Sequence, residues 1–111
     1  MARQITEMLK GTLEGVVLAV LAGRDAYGYE ITASLRDKGF EDIAEGTVYA
    51  LLVRLEQRDL VDVQKVASTK GPPRKVYSLN ASGRTALDEF WTTWDFLAGR
   101  LTELRTEGNP S

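Results

Sequence analysis

The sequence predicts a mainly α domain of the α+β class, a winged helix-turn-helix with a C-terminal dimerisation helix. Three observations predict it. The periodic segments run helix, helix, helix, hairpin, helix. Positive charge is gathered in the hairpin of an otherwise acidic chain. The last segment carries an apolar seam longer than a domain of this size can bury.

At 111 residues the chain has room for one core. The first helix is predicted over residues 5–22, where Ile5, Met8, Leu9, Leu13, Val16, Val17, Val20 and Leu21 recur at three- and four-residue steps. Gly11 and Gly15 weaken it, and a break is expected near Gly11. Gly23 supplies a stop, and Asp25 is the expected N-cap of a second helix over 26–38. In that helix Tyr27, Ile31 and Leu35 share one face, and Gly39 is its exit. Phe40 and Ile43 anchor the connection to a third helix over 45–58. Its buried stripe is Val48, Leu51, Leu52 and Leu55. The other face offers Thr47, Tyr49, Ala50, Val53, Arg54, Gln57 and Arg58, poorer in Glu and Lys than a solvated face usually is.

After Asp59 the period changes. Leu60, Val61, Val63 and Val66 read as a strand, and Lys75 to Leu79 as its partner. Residues 68–74 form the turn, with Pro72 and Pro73 stiffening a tip that holds Lys70 and Arg74. Asn80 is the expected N-cap of a final helix over 81–106. Leu87, Phe90, Trp94, Leu97, Leu101 and Leu104 follow alternating steps of three and four, a heptad seam. That seam is expected to pack on a second copy and on the copy's N-terminal helix, rather than only on the first helix of its own chain. The expected organisation is residues 1–80 as the DNA-binding unit, 81–107 as the dimerisation helix and 108–111 as a disordered tail.

Charge and absent residue types narrow the function. Residues 1–63 carry seven basic and eleven acidic side chains. Residues 64–87 carry Lys65, Lys70, Arg74, Lys75 and Arg84 and no acid. Such a segment suits an edge that meets a polyanion. The chain has no cysteine and no histidine, which removes disulfides, thiol nucleophiles, the commonest general base and the commonest metal ligands. Glu41, Asp42 and Glu45 precede or open a helix, where carboxylates usually serve the dipole. The chain is therefore not expected to be an enzyme or to hold a metal or cofactor. No apolar run is long enough for a membrane span, and MARQITEMLKG lacks a signal-peptide core, so a cytoplasmic location is expected.

The third helix fits the major groove of B-DNA, and the hairpin beside it can reach the phosphates. Thr47, Tyr49, Ala50 and Arg54 with Lys70, Arg74 and Lys75 are the candidate DNA-binding residues. Tyr49 either reaches a phosphate or base edge or covers the hairpin base. Arg54 either meets phosphate or pairs with Glu45, Glu56 or Asp59. Tyr27 is read as core. Phe90, Trp91, Trp94, Leu97, Leu101 and Leu104 are the candidate dimer and effector surface, where aromatic rings near a two-fold axis can wall a flat cavity. The competing reading is a winged-helix module that binds protein rather than DNA.

The segments LKGTLEGVVLAVLA, AYGYEI, EGTVYALLVRLEQRDLV and KGPPRKVYSLNASGRTAL, with the aromatic final helix, resemble the PadR family of bacterial transcriptional regulators. The resemblance spans nearly the whole chain and fits the subfamily with a single C-terminal helix. It departs at Ala50, where many relatives carry proline, and at Val48, where relatives often carry leucine. The resemblance implies a winged-helix dimer joined through the final helix, binding to an inverted-repeat operator, and repression relieved by a signal or small molecule. It also implies that Trp94 could sandwich a planar ligand.

Overall fold

The computed structural model describes residues 2–108. The elements are α1 (Ala2–Leu9), α2 (Leu13–Gly23), β1 (Ala26–Tyr27), α3 (Gly28–Asp37), α4 (Glu45–Gln57), β2 (Val61–Val66), β3 (Arg74–Leu79) and α5 (Ala81–Gly108). The helix expected over 5–22 is broken at 10–12, on either side of Gly11, into α1 and α2. Within α2, Val17, Leu18 and Leu21 are buried, whereas Met8 of α1 is largely exposed.

The helix expected over 26–38 starts two residues later. Ala26 and Tyr27 instead form β1, pairing antiparallel with Tyr77 and Val76 of β3. The sheet order is β1-β3-β2. Ala26 is buried, which favours a strand that delivers its methyl to the core over a first helical turn in solvent. The cap accordingly moves from Asp25 to Tyr27, whose extended backbone precedes the helix. The Tyr27 N–H donates to Glu30 Oε1 at 2.9 Å, half of a capping box. Arg24 closes on the other carboxylate oxygen at 2.6 Å. The hydrogen bond from the Tyr27 N–H holds Glu30 below its ordinary pKa; burial opposes it, and the charge and hydrogen bond of Arg24 add to the lowering.

Two helices end by the same device. Gly39 adopts φ 104°, with Phe40 N–H donating to Leu35 O at 3.0 Å and Gly39 N–H to Arg36 O at 3.1 Å. Asp59 adopts φ 57°, with Leu60 N–H donating to Leu55 O at 3.0 Å. Both are Schellman-type exits that satisfy terminal carbonyls. Between them Phe40 and Ile43 pack against the core, and Arg36 donates to Ile43 O at 2.9 Å, fixing the turn between α3 and α4.

Val48, Leu51, Leu52 and Leu55 of α4 meet Ile31 and Leu35 of α3, Val61 of β2 and Tyr77 and Leu79 of β3 in one core. Asn80 joins this core to α5. Its Oδ1 accepts from Gly83 N–H at 2.8 Å, capping the helix, while its Nδ2 donates to Asp59 O at 2.9 Å. Gly83 lies against the Leu60 carbonyl and the Leu79 side chain so closely that a Cβ would overlap both.

The final helix divides in two. Leu87 is buried and Phe90 is partly buried against the same core. The Phe90 ring occupies the place a side chain at Gly15 would need, so α2 and α5 pack backbone to ring. These two seam residues therefore pack on their own chain, not outward. Trp94, Leu97, Leu101 and Leu104 have 41%, 45%, 50% and 62% of their surface exposed, on a helix that carries the chain to an overall length of 63 Å. Gly108 belongs to α5 rather than to a disordered tail, and 109–111 lie outside the described residues.

Gly83→Ala should cost roughly 1–3 kcal/mol in a urea unfolding titration, because the obstructing atom is a backbone carbonyl that cannot turn aside. Gly99→Ala, with open space around it, should leave stability unchanged or raise it by up to about 1 kcal/mol.

Candidate nucleic-acid interface

The α3–turn–α4 unit and the β2–β3 hairpin present one continuous surface. Three tyrosines and two cations organise it. Gly28, the first residue of α3, has the Tyr49 ring where its own Cβ would stand. That contact lays Tyr49 of α4 across the start of α3 while 42% of its surface stays exposed. Part of the Tyr49 ring thus covers the start of α3, and the remainder faces solvent.

Tyr27 and Tyr29 stack with centroids 5.6 Å apart and planes 11° apart. Residues two apart on a helix do not face one another; these do because Tyr27 belongs to β1 and Tyr29 to α3. The Arg74 guanidinium lies over the Tyr29 ring, 5.6 Å from its centroid. This distance is within cation–π range, so the first residue of β3 is tied to α3. Arg74 was expected at the hairpin tip; it pairs instead with Val66 at the base of the turn. The tip is left to Lys70, Gly71, Pro72 and Pro73, all exposed, with Gly71 at φ 115° making the turn. Tyr27 is half-buried.

Lys75 lies directly opposite Lys65 across the β2–β3 ladder. Like charges in register repel. Lys75 is partly compensated by Glu56 of α4, at 3.5 Å from its Nζ, whereas no acid pairs with Lys65 among the described residues. Tyr49, Val53, Arg74 and Lys75 border one shallow groove with Tyr29 and Tyr77. Burial, then the nearby Glu56 carboxylate and Tyr49 phenol, push the Tyr77 phenol above its ordinary value.

Thr47 and Arg54 look the other way. They line a second groove, between α4 and α1, together with Leu9, Leu13, Phe40 and Ile43. Among the described residues no carboxylate pairs with Arg54, so Glu45, Glu56 and Asp59 leave it unclaimed. Ala50 is exposed between the two flanks. Arg58 is committed to Glu14 of α2 at 2.6 Å. Of the aromatic candidates, Phe90 is seated on Gly15 and meets Trp91 edge-on at 5.2 Å and 61°. Trp91 borders a groove floored by Val16, Val20 and Phe40, and Trp94 is exposed further along α5.

Sequence reasoning did not single out Tyr29 or Gly28, and it counted Lys65 in the basic segment without placing it at the interface. The roles of the first two arise from contacts across the fold, the Tyr49 ring against Gly28 and the Arg74 guanidinium over Tyr29, which leave no local signal. The position of Lys65 opposite Lys75 follows from strand register.

The architecture is a winged helix-turn-helix with a long C-terminal helix. The chain belongs to the Transcriptional regulator PadR-like family, whose model matches residues 17–89. It is similar to a Streptococcus transcriptional regulator, with 38% identity over 88% of this chain and 96% of that one at a TM-score of 0.78. It is also similar to a PadR-like transcriptional regulator from Bacillus cereus, with 36% identity over 88% of this chain and 95% of that one at a TM-score of 0.77. A fold-level likeness extends to Bacillus subtilis PadR solved in complex with operator DNA, at 20% identity and a TM-score of 0.65 over 72% of this chain and 47% of that one. The protein is thus a transcriptional regulator of the PadR type, a family of regulators rather than enzymes. No helix among the described residues is long and apolar enough to cross a membrane.

A spectrophotometric tyrosine titration should contain one component above the ordinary phenol range, and Tyr77→Phe should remove it. The sign follows from a raised folded pKa: the neutral phenol stabilises the fold at low and neutral pH. That contribution is lost as pH rises through the Tyr77 value.

Proposed function

We propose that the chain is a DNA-binding repressor that grips an inverted-repeat operator as a homodimer. Residues 1–80 form the DNA-binding unit and 81–107 the dimerisation helix. The observation that carries the reading is the shared groove bordered by Tyr49 of α4 and by Arg74 and Lys75 of β3. It puts the helix suited to the major groove and the basic hairpin on one face, as duplex binding requires. The operator complex of Bacillus subtilis PadR supports the same use of the same fold.

In this reading Thr47, Tyr49, Ala50 and Arg54 meet DNA from α4, and Lys70, Arg74 and Lys75 meet the phosphates from the wing. Lys65 adds positive potential beside Lys75, and an approaching polyanion relieves their mutual repulsion. Arg74 held over Tyr29 keeps less rotamer freedom to lose on docking. Trp94, Leu97, Leu101 and Leu104 pair with their counterparts on a second copy, because no core of their own chain covers them. Trp91 and Trp94 supply flat apolar walls that a planar effector could enter, releasing the DNA.

Enrichment of genomic fragments on the purified protein should return an inverted repeat. Lys70→Ala with Arg74→Ala should weaken binding to all duplexes. The slope of log affinity against log salt should fall by about one for each phosphate no longer neutralised. Affinity that does not depend on salt would favour a protein-binding module instead. Leu97→Asp with Leu101→Asp should convert a dimer to a monomer by sedimentation; an intact dimer would remove α5 from the interface.

A further inference from the structure

The crest of α4 is apolar in a place where a helix facing a polyanion would be expected to carry donors. Val48, Leu51, Leu52 and Leu55 are its buried side. At about 100° per residue the side directly opposite carries Gly46, Ala50, Val53 and Gln57. All four are exposed, and 48% of Val53 is open to solvent. Apart from Gln57 at the end of the crest, the polar groups stand on the flanks. Tyr49, Arg74 and Lys75 share the groove that Val53 borders on one side. Thr47 and Arg54 lie on the other.

The space around Gly46 is open, so packing does not demand a glycine there. A hydrogen, a methyl and an isopropyl group leave the first half of the crest low and without any side-chain donor or acceptor. It cannot distinguish bases by hydrogen bonds. In the major groove only one base presents an apolar group, the C5-methyl of thymine. Contact between that methyl and Val53 removes apolar surface of both from water.

We infer that Val53, with Ala50 one turn before it, is a specificity-determining contact to thymine C5-methyl groups in each operator half-site. The inference rests on the DNA-binding reading above and adds the base chemistry that α4 selects. Val53 is a contact residue for bases, whereas its flanking partners address the backbone.

The test uses the full chain and the operator duplex that enrichment recovers, synthesised with deoxyuridine for thymidine at one symmetric pair of positions at a time. Deoxyuridine lacks only the methyl group. At one or two positions per half-site the wild-type affinity should fall about fourfold for each methyl removed. Val53→Ala should bind the thymidine duplex several-fold more weakly, become indifferent to deoxyuridine at those positions, and keep the wild-type salt slope. Val53→Thr, of nearly equal size, should retain part of the methyl preference. Wild-type protein indifferent to deoxyuridine at every position would overturn the inference while leaving operator binding intact. So would a Val53→Ala protein that keeps the full deoxyuridine penalty. A chain that retains no duplex at all would overturn the DNA-binding reading first, and this one with it.

Discussion

The two-residue pairing of Ala26 and Tyr27 with Tyr77 and Val76 is the constraint on which the rest of the surface depends. It joins the beginning of the helix-turn-helix to the inner strand of the wing. Without it, α3 and the hairpin would be linked only through the core beneath them. With it, the chain passes from extended to helical backbone between Tyr27 and Gly28. That change of direction lets Tyr27 and Tyr29 stack, puts Tyr29 under Arg74, and brings Gly28 beneath Tyr49. Three local contacts thus descend from one short ladder, and together they orient α4 relative to the wing.

A second constraint governs the long helix. α5 is held to the domain at its first turns only. Asn80 caps it and reaches back to Asp59, Gly83 lies on the Leu60 carbonyl, and Phe90 fills the space left by Gly15. Two glycines without side chains are what allow a helix to approach a strand end and another helix so closely. Beyond Phe90 no described residue of α5 is fully buried, and Trp94, Leu97, Leu101 and Leu104 are exposed. The change from intramolecular packing to exposure along one continuous helix separates a covered half from an uncovered one. The wing shows a related division, in which Glu56 compensates Lys75 while Lys65 and Lys70 keep their charge available.

Much of this was legible in the sequence. Periodicity located the longer helices and both hairpin strands, though α1 and α2 read as one interrupted segment, and the α4 core stripe was correct residue by residue, because burial of one helical face imposes a 3.6-residue repeat that composition cannot hide. The exit at Gly39 was legible through the positive φ that glycine accepts, and the break at Gly11 through glycine's low helix propensity. The strand at Ala26–Tyr27 was not legible. Two residues carry no period, and what makes them a strand is a partner fifty positions away in the chain. The shift of Asp25 from cap to linker follows from the same cause.

By itself, then, the sequence determined the order of the longer elements, the α4 core face, the basic hairpin and an apolar seam in the last helix. Each is a property of neighbouring residues. Only the tertiary structure decided how that seam is divided, since Leu87 and Phe90 find α2 whereas Trp94 to Leu104 do not. It alone decided that Arg74 belongs over Tyr29 and Lys75 beside Glu56. Those pairings depend on strand register and helix approach, which are fixed by contacts distant in the chain and leave no periodic trace along it.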